Sequence, residues 1–290
     1  MHALLLCYCR WNSITRNARP RKFSYRKSRI NSYQTNHKPN HMKNLTLFII
    51  VVFQSFFAIS QDLTADEIIK NSEEKYRGKS SKITMTVTIE RPKWSREMTL
   101  TSWNKGNDYS ISVITAPAKD AGSVMLKREK EIYNYVPSIE RVIKLPPSMM
   151  MQNWMGTDLT NDDLVRETSM VEDYSAKLMG VESIENREAY KIELNPKPEA
   201  AVVWTKVIIW IDKKEFLQLK TEFYDEDDFL VNTFIGKDIK EIGGRILTSK
   251  MEVIPADKPG NKTIMQYNNI EFDIDIEESF FSTQNMKKIR

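Results

Sequence analysis

From Ser81 onward the chain alternates. In "ITMTVTI" the residues Ile83, Met85, Val87 and Ile89 fall on one face and Thr84, Thr86 and Thr88 on the other, the period-two pattern of a half-buried antiparallel strand. Comparable runs follow in "REMTLTSW", "DYSISVI", "SVMLKREKEIYNYV", "AKLMGVESI", "EAYKIEL", "VVWTKVIIWI", "FLQLKTEFY", "FLVNTFIGKDI", "ILTSKMEVI" and "TIMQYNNIEF". Turn residues separate most of them, so about ten or eleven strands are predicted in succession. Strands in series, with one helix before them and one helical interruption near residues 147–170, favour a large antiparallel meander over a parallel α/β sheet. A sheet that long must curl, and its concave side must be filled by helices or by a ligand. The fold class is therefore mainly β (α+β).

Two stretches interrupt the alternation. "LTADEIIKNSEEKY" opens with Leu63, Thr64 and Glu67: the threonine can cap a helix, the glutamate can reach back to it, and Leu63 can meet Ile68. The second is "PPSMMMQNWMGTDLTNDDLV", residues 146–165. Pro146 and Pro147 can open a short helix and Gly156 can close it, which would put Met151, Trp154 and Met155 on one face. Beyond Gly156 the capping pattern recurs, with Thr160 as cap, Asp163 three residues on, and Leu159 placed to meet Leu164.

Helix-start chemistry accounts for Asp158, Asp162 and Asp163, because carboxylates there face unpaired N–H groups and the positive end of the dipole. Their spacing lacks the alternate ligands, central glycine and distal glutamate of a calcium loop, and no metal is assigned. "YDEDDF" at 224–229 lies between two strand patterns and reads as a hairpin turn. The methionines are a different matter. Met is flexible and polarizable and suits irregular apolar partners, so Met150, Met151, Trp154, Met155 and Leu159 are the candidate ligand-contacting residues, a wall or lid over the concave face.

The first sixty residues differ from the rest. Residues 1–41 hold nine Lys or Arg, all three His, both cysteines (Cys7 and Cys9) and no acidic residue. This stretch reads as a non-native extension ahead of a misassigned start, with a transit peptide as the alternative. At Met42 a basic head, the apolar "LTLFIIVVF" and a small-residue "AIS" ending at Ser60 make a secretory signal, residues 42–60. Its apolar core spans about half of the roughly 20 residues a membrane helix needs. Residues 61–290 then form one domain, with no repeat or linker dividing them.

Setting the first sixty residues aside leaves 33 basic and 39 acidic residues, a net charge of −6. That removes the basic surface nucleic-acid binding needs. No His or Cys follows residue 60, which excludes thiol nucleophiles, Ser/His/Asp triads and Cys/His zinc sites. No catalytic residue and no cofactor is assigned, and a monomer is expected.

The order of these features carries a resemblance. The prolyl segment, the Met-rich turn and "MGTDLTNDDL", with the helix "ADEIIKNSEEKYRG" before them, the hairpin "IYNYVPSIERVIKLP" and the closing "IEESFFS", resemble the outer membrane lipoprotein-sorting family (LolA-like, LolA-RseB superfamily). Gly156, Asp158, Leu159, Asp163 and Leu164 match its motif. The resemblance implies an incomplete β-barrel with a few helices covering its concave face around an apolar cavity. It also implies a periplasmic carrier or chaperone for acyl chains of lipoproteins or other lipids, with an inner-membrane exporter and an outer-membrane acceptor as partners. No lid-fixing arginine can be placed from the sequence. The alternative is a periplasmic lipid-sensing or protein-interaction module, RseB-like, without a transport role. A carboxylate hydrolase is a third class, supported only by the abundance of acidic residues.

Overall fold

The computed structural model describes residues 63–129, 131–161, 163, 170–200 and 202–289. The extension 1–41, the signal 42–60, Asp162 and Leu164 lie outside the described residues.

Helix α1 runs Ala65–Arg77 with Thr64 as its cap. The backbone N–H of Thr64 donates to Glu67 Oε2 at 2.8 Å and that of Glu67 to Thr64 Oγ1 at 3.3 Å, the reciprocal box the sequence predicts. Lysine and arginine in its last turn and acids in its first complement the helix dipole. A single turn, α2, spans Met170–Asp173, and its Met170 N–H donates to Glu73 Oε1 of α1 at 2.6 Å.

Among the described residues thirteen strands make one sheet. They are β1 Ser80–Arg91, β2 Trp94–Lys105, β3 Tyr109–Ala116, β4 Val124–Arg128, β5 Glu131–Val136, β6 Arg141–Lys144, β7 Tyr174–Ile184, β8 Arg187–Pro196, β9 Lys206–Asp212, β10 Gln218–Tyr224, β11 Leu230–Ile242, β12 Arg245–Pro255 and β13 Lys262–Phe272. The order is β6-β5-β4-β3-β2-β1-β13-β12-β11-β10-β9-β8-β7, and every pairing is antiparallel. The strands thus form two meandering arms joined where the first meets the last. Among the described residues β6 and β7 end the sheet without pairing to each other, so the barrel stays incomplete, as the resemblance implied. The count exceeds the expected ten or eleven because "SVMLKREKEIYNYV" is two strands and Arg141–Lys144 adds another, β6. Glu129 takes a left-handed backbone, φ 55°, and turns β4 back on β5.

α1 lies against the inner face of the second arm, where Ile68 and Ile69 pack with Ile192, Leu194, Val207, Ile209 and Ile211. In the first arm, β3 and β4 turn Ile111, Val113, Val124 and Leu126 to the opposite face, where Phe281 and Met286 of the C-terminal segment cover them. Asp225 makes the turn expected at 224–229, its Oδ1 accepting from the N–H groups of Asp227 and Phe229.

Candidate functional site: a roofed cleft on the concave face

The Met-rich segment does not form one helix. It makes two separate 3-10 turns, Pro147–Met149 and Trp154–Gly156, and Met155 (φ 50°) and Gly156 (φ 78°) both adopt left-handed backbone. The chain folds back on itself here. Trp154 N–H donates to Leu159 O at 2.8 Å, Asn161 N–H to Gln152 O at 2.9 Å, and Asn153 Nδ2 to Thr157 O at 2.7 Å. These bonds compete with the helical ladder and win, because a tight reversal satisfies the same backbone groups while pressing Trp154 onto the sheet.

The predicted contact residues are therefore divided. Trp154 and Met155 pack together against Val87, Ile89, Met98, Leu100 and Ile114. Leu159 is buried at 2 % exposure. Met149 and Met150 turn the other way, onto Ile132 and Leu145. Met151 faces outward, 55 % exposed, and does not share a face with Trp154 and Met155.

Asp158 is not a helix-start carboxylate, which corrects the sequence expectation. It is buried and takes both branches of the Arg91 guanidinium, Nη1 to Oδ2 at 3.0 Å and Nη2 to Oδ1 at 3.1 Å. Thr263 Oγ1 donates to Asp158 Oδ2 at 2.7 Å and accepts from Asp158 N–H at 2.9 Å. Arg91 Nη2 also donates to Gly156 O at 2.9 Å. A bidentate pair with a further donor on Oδ2 is a geometry in which a buried ion pair offsets part of its own desolvation. Arg91 thus straps the roof to the ends of β1 and β13. The sequence held a signal for it: Arg91 continues the inward series Ile83, Val87, Ile89, a charge on an apolar face.

Asp163 does behave as the capping pattern requires. Thr160 N–H donates to its Oδ2 at 2.8 Å and its own N–H donates to Thr160 Oγ1 at 3.0 Å. A third donor, Trp204 Nε1, reaches Oδ1 at 3.1 Å. Burial nevertheless pushes the carboxyl above its ordinary value, against the lowering by Thr160 and Trp204, because apolar neighbours withhold the water an ionised carboxylate would have.

Beneath the roof lie two cavities, of about 240 Å³ and about 200 Å³. Ile83, Asn104, Ser110, Lys127, Leu159 and Met265 line both, so they adjoin along the concave face. The larger is walled by α1 and by strands of both arms, with Ile209, Ile211, Phe223 and Phe234 on its apolar side and Glu73, Asp163 and Asp173 among its polar lining. Residues of both arms on one wall show that the sheet curls around this space. Trp154 and Met155 wall the smaller cavity; Met150 and Met151 wall neither. Tyr76 of α1 accepts or donates a 2.6 Å bond with Thr248 Oγ1, and burial raises its phenol above the usual range. Among the described residues no three His, Cys, Asp or Glu side chains gather as a metal site, and no helix is long and apolar enough to cross a membrane.

No curated protein matches the chain in sequence. Among solved structures, a DUF1329 family protein from Desulfovibrio piger superposes with a TM-score of 0.70 at 20% identity, covering 77% of this chain and 97% of its own. A LolA superfamily protein from Nitrosomonas europaea gives 0.67 at 24% identity, covering 77% and 99%. A domain described as an outer membrane lipoprotein-sorting protein, from Vibrio parahaemolyticus, gives 0.67 at 20% identity, covering 77% and 100%. At these identities the likeness is one of fold. A family model whose description reads "-like: Uncharacterized protein" matches residues 106–288. That span is more than half of the chain, which belongs to this family and has the LolA-like fold.

Proposed function

We propose that the chain is a periplasmic carrier that shelters acyl chains of lipoproteins, or of another lipid, in the roofed cleft and moves them towards the outer membrane. One observation supports this above others: two adjoining cavities on the concave face, with Trp154, Met155 and Leu159 over an apolar wall. Together they reach the roughly 300 to 1,000 Å³ of small-molecule sites. Each methylene kept out of water is worth about 0.8 kcal/mol, so shelter alone accomplishes the task and no catalytic group is required. The half-buried carboxylate Asp163 is engaged by Thr160 and Trp204, a structural role. In this reading export begins at Met42 with cleavage after Ser60, and an inner-membrane exporter and outer-membrane acceptor load and unload the cleft.

The test is lipid found by mass spectrometry in protein purified from the periplasm, joined to a pair of variants. Met155→Glu places a charge against Met98 and Leu100 and is expected to weaken acyl-ligand binding at least tenfold. Met151→Glu, on an exposed side chain, should leave binding unchanged. Trp154 emission should shift on ligand addition in the parent. Equal binding by both variants would remove the roof from the site.

A further inference from the structure

The inner wall of the first arm is graded along its strands. Opposite one another across β1 to β4 stand Ser81, Asn104, Ser110 and Lys127. Two residues further along, the row reads Ile83, Ser102, Ser112, Met125. Two further still it reads Met85, Leu100, Ile114, and beyond that Trp154 and Met155 close the end against Val87 and Met98. At about 3.3 Å per residue, the charged row and the apolar row lie about 13 Å apart.

Lys127 is buried, with 8 % of its surface exposed. Its Nζ donates to Asn107 O at 2.6 Å, which holds the ammonium at the level of Ser110. Asn104 Nδ2 donates to Ser81 Oγ at 3.2 Å, and the hydroxyls of Ser102 and Ser112 meet at 2.6 Å. Among the described residues on the wall of the smaller cavity, Lys127 is the only charged one; it stands where the two cavities adjoin, and the wall of the larger also carries Arg77, Glu73, Asp163 and Asp173. A core that needed only packing would not place a cation and five hydroxyl or amide side chains on an inner face, given the cost of burying polar groups.

We infer that the smaller cavity takes a single-chain amphiphile with an anionic head, carboxylate or phosphate, whose head meets Lys127, Ser110 and Asn104 and whose chain runs over Leu100 and Ile114 towards Trp154. This rests on the carrier reading and adds the head group to it. A compact ammonium suits either head, since it needs no planar fork, and a charge-assisted bond in a poorly solvated wall is stronger than the same bond in water.

Calorimetry on the full mature protein with four amphiphiles of equal chain length, about ten carbons, tests it: carboxylate, phosphate monoester, neutral glycoside and trimethylammonium. The two anionic heads are expected to bind at least tenfold tighter than the glycoside, and the cation weakest. Lys127→Met should bring the anionic heads down to the glycoside's affinity on the same variant, and Lys127→Arg should keep the preference. Binding of all four heads alike, or a preference that survives Lys127→Met, overturns the head-group assignment and leaves the carrier reading standing. No binding of any amphiphile overturns both. Inorganic phosphate bound as tightly as the decyl phosphate would mean a free-anion site and also overturns it. Should Lys127→Met not fold, the ranking of heads on the parent decides alone.

Discussion

Two stretches of this chain carry the same local pattern and end in different surroundings. Leu63-Thr64-Ala65-Asp66-Glu67 and Leu159-Thr160-Asn161-Asp162-Asp163 both place a threonine cap three residues before an acid, and both close the reciprocal hydrogen bonds. At α1 the acid is at the surface, and the backbone and hydroxyl of Thr64 hold the Glu67 carboxyl below its usual value. At the roof the acid is turned inward to Trp204, and burial pushes Asp163 up despite equivalent bonds. The cap is a local property; the sign of the shift is set by what packs around it. The second stretch is also preceded by Asp158, which Arg91 fastens to the sheet, where the first is held by the apolar packing of Leu63 and Ala65.

That contrast is broken most severely at the strap. Arg91→Ala would leave Asp158 buried without its partner, and a loss of about 3 to 5 kcal/mol in urea unfolding is expected. Arg91 also holds Gly156 O, so Trp154 emission should move towards that of a solvated indole. A combined Arg91→Met and Asp158→Leu variant should recover much of the stability, since it removes the charge along with the bond. If the single variant unfolds like the parent, the strap contributes nothing and the roof is held by its other contacts, Trp154 and Met155 on the sheet and Thr263 at Asp158.

Next in size is Asp163. Asp163→Ala strands Trp204 Nε1 and the Thr160 N–H without an acceptor, and about 1 to 3 kcal/mol is expected from buried donors left unsatisfied. Asp163→Asn keeps an acceptor and should cost much less. Its signature is in pH. A carboxyl whose folded value is raised binds its proton more tightly in the native state, so its contribution to stability falls as pH rises from the ordinary 3.8 through the raised value. Asp163→Asn removes that downward slope, and Tm measured from acid to neutral pH shows whether it has.

What the sequence disclosed follows the range of the forces involved. The strands, the turn at Asp225 and both capping boxes depend on neighbours within a few residues, and period and cap chemistry exposed them. The division of the methionines depends on the backbone reversal at Met155 and Gly156, and nothing in "SMMMQNWMG" distinguishes that from a helix of the same residues. The bond between Arg91 and Asp158 spans 67 positions. In "DYSISVI" the alternation was plain, yet which face looks into the cavity was not. The apolar Ile111 and Val113 pack under the C-terminal segment, and the serines face the cleft, the reverse of the usual inside and outside. A rule that sends apolar faces to the core cannot anticipate a second cover supplied by residues near 281 and 286.

The smallest effect, and the sharpest use of the comparison, is Glu67→Gln. Glutamine can still accept the Thr64 N–H, so the cap geometry survives, and the change removes only the charge at a surface position facing the N-terminal end of the α1 dipole. The lowered Glu67 value means the ionised form is favoured in the folded state. Its contribution is present above the ordinary value of 4.5 and is lost as pH falls through the lower folded value. Glu67→Gln should therefore lie slightly below the parent in Tm at neutral pH and converge with it in acid, and added salt should narrow the gap because the interaction is solvent-exposed. Asp163→Asn should behave oppositely, gaining on the parent as pH rises through the window in which the half-buried carboxylate must ionise. Two acids in the same sequence frame would then give pH slopes of opposite sign. Parallel slopes for the two variants would show instead that local capping bonds alone govern both, and that the burial of Asp163 has no energetic consequence.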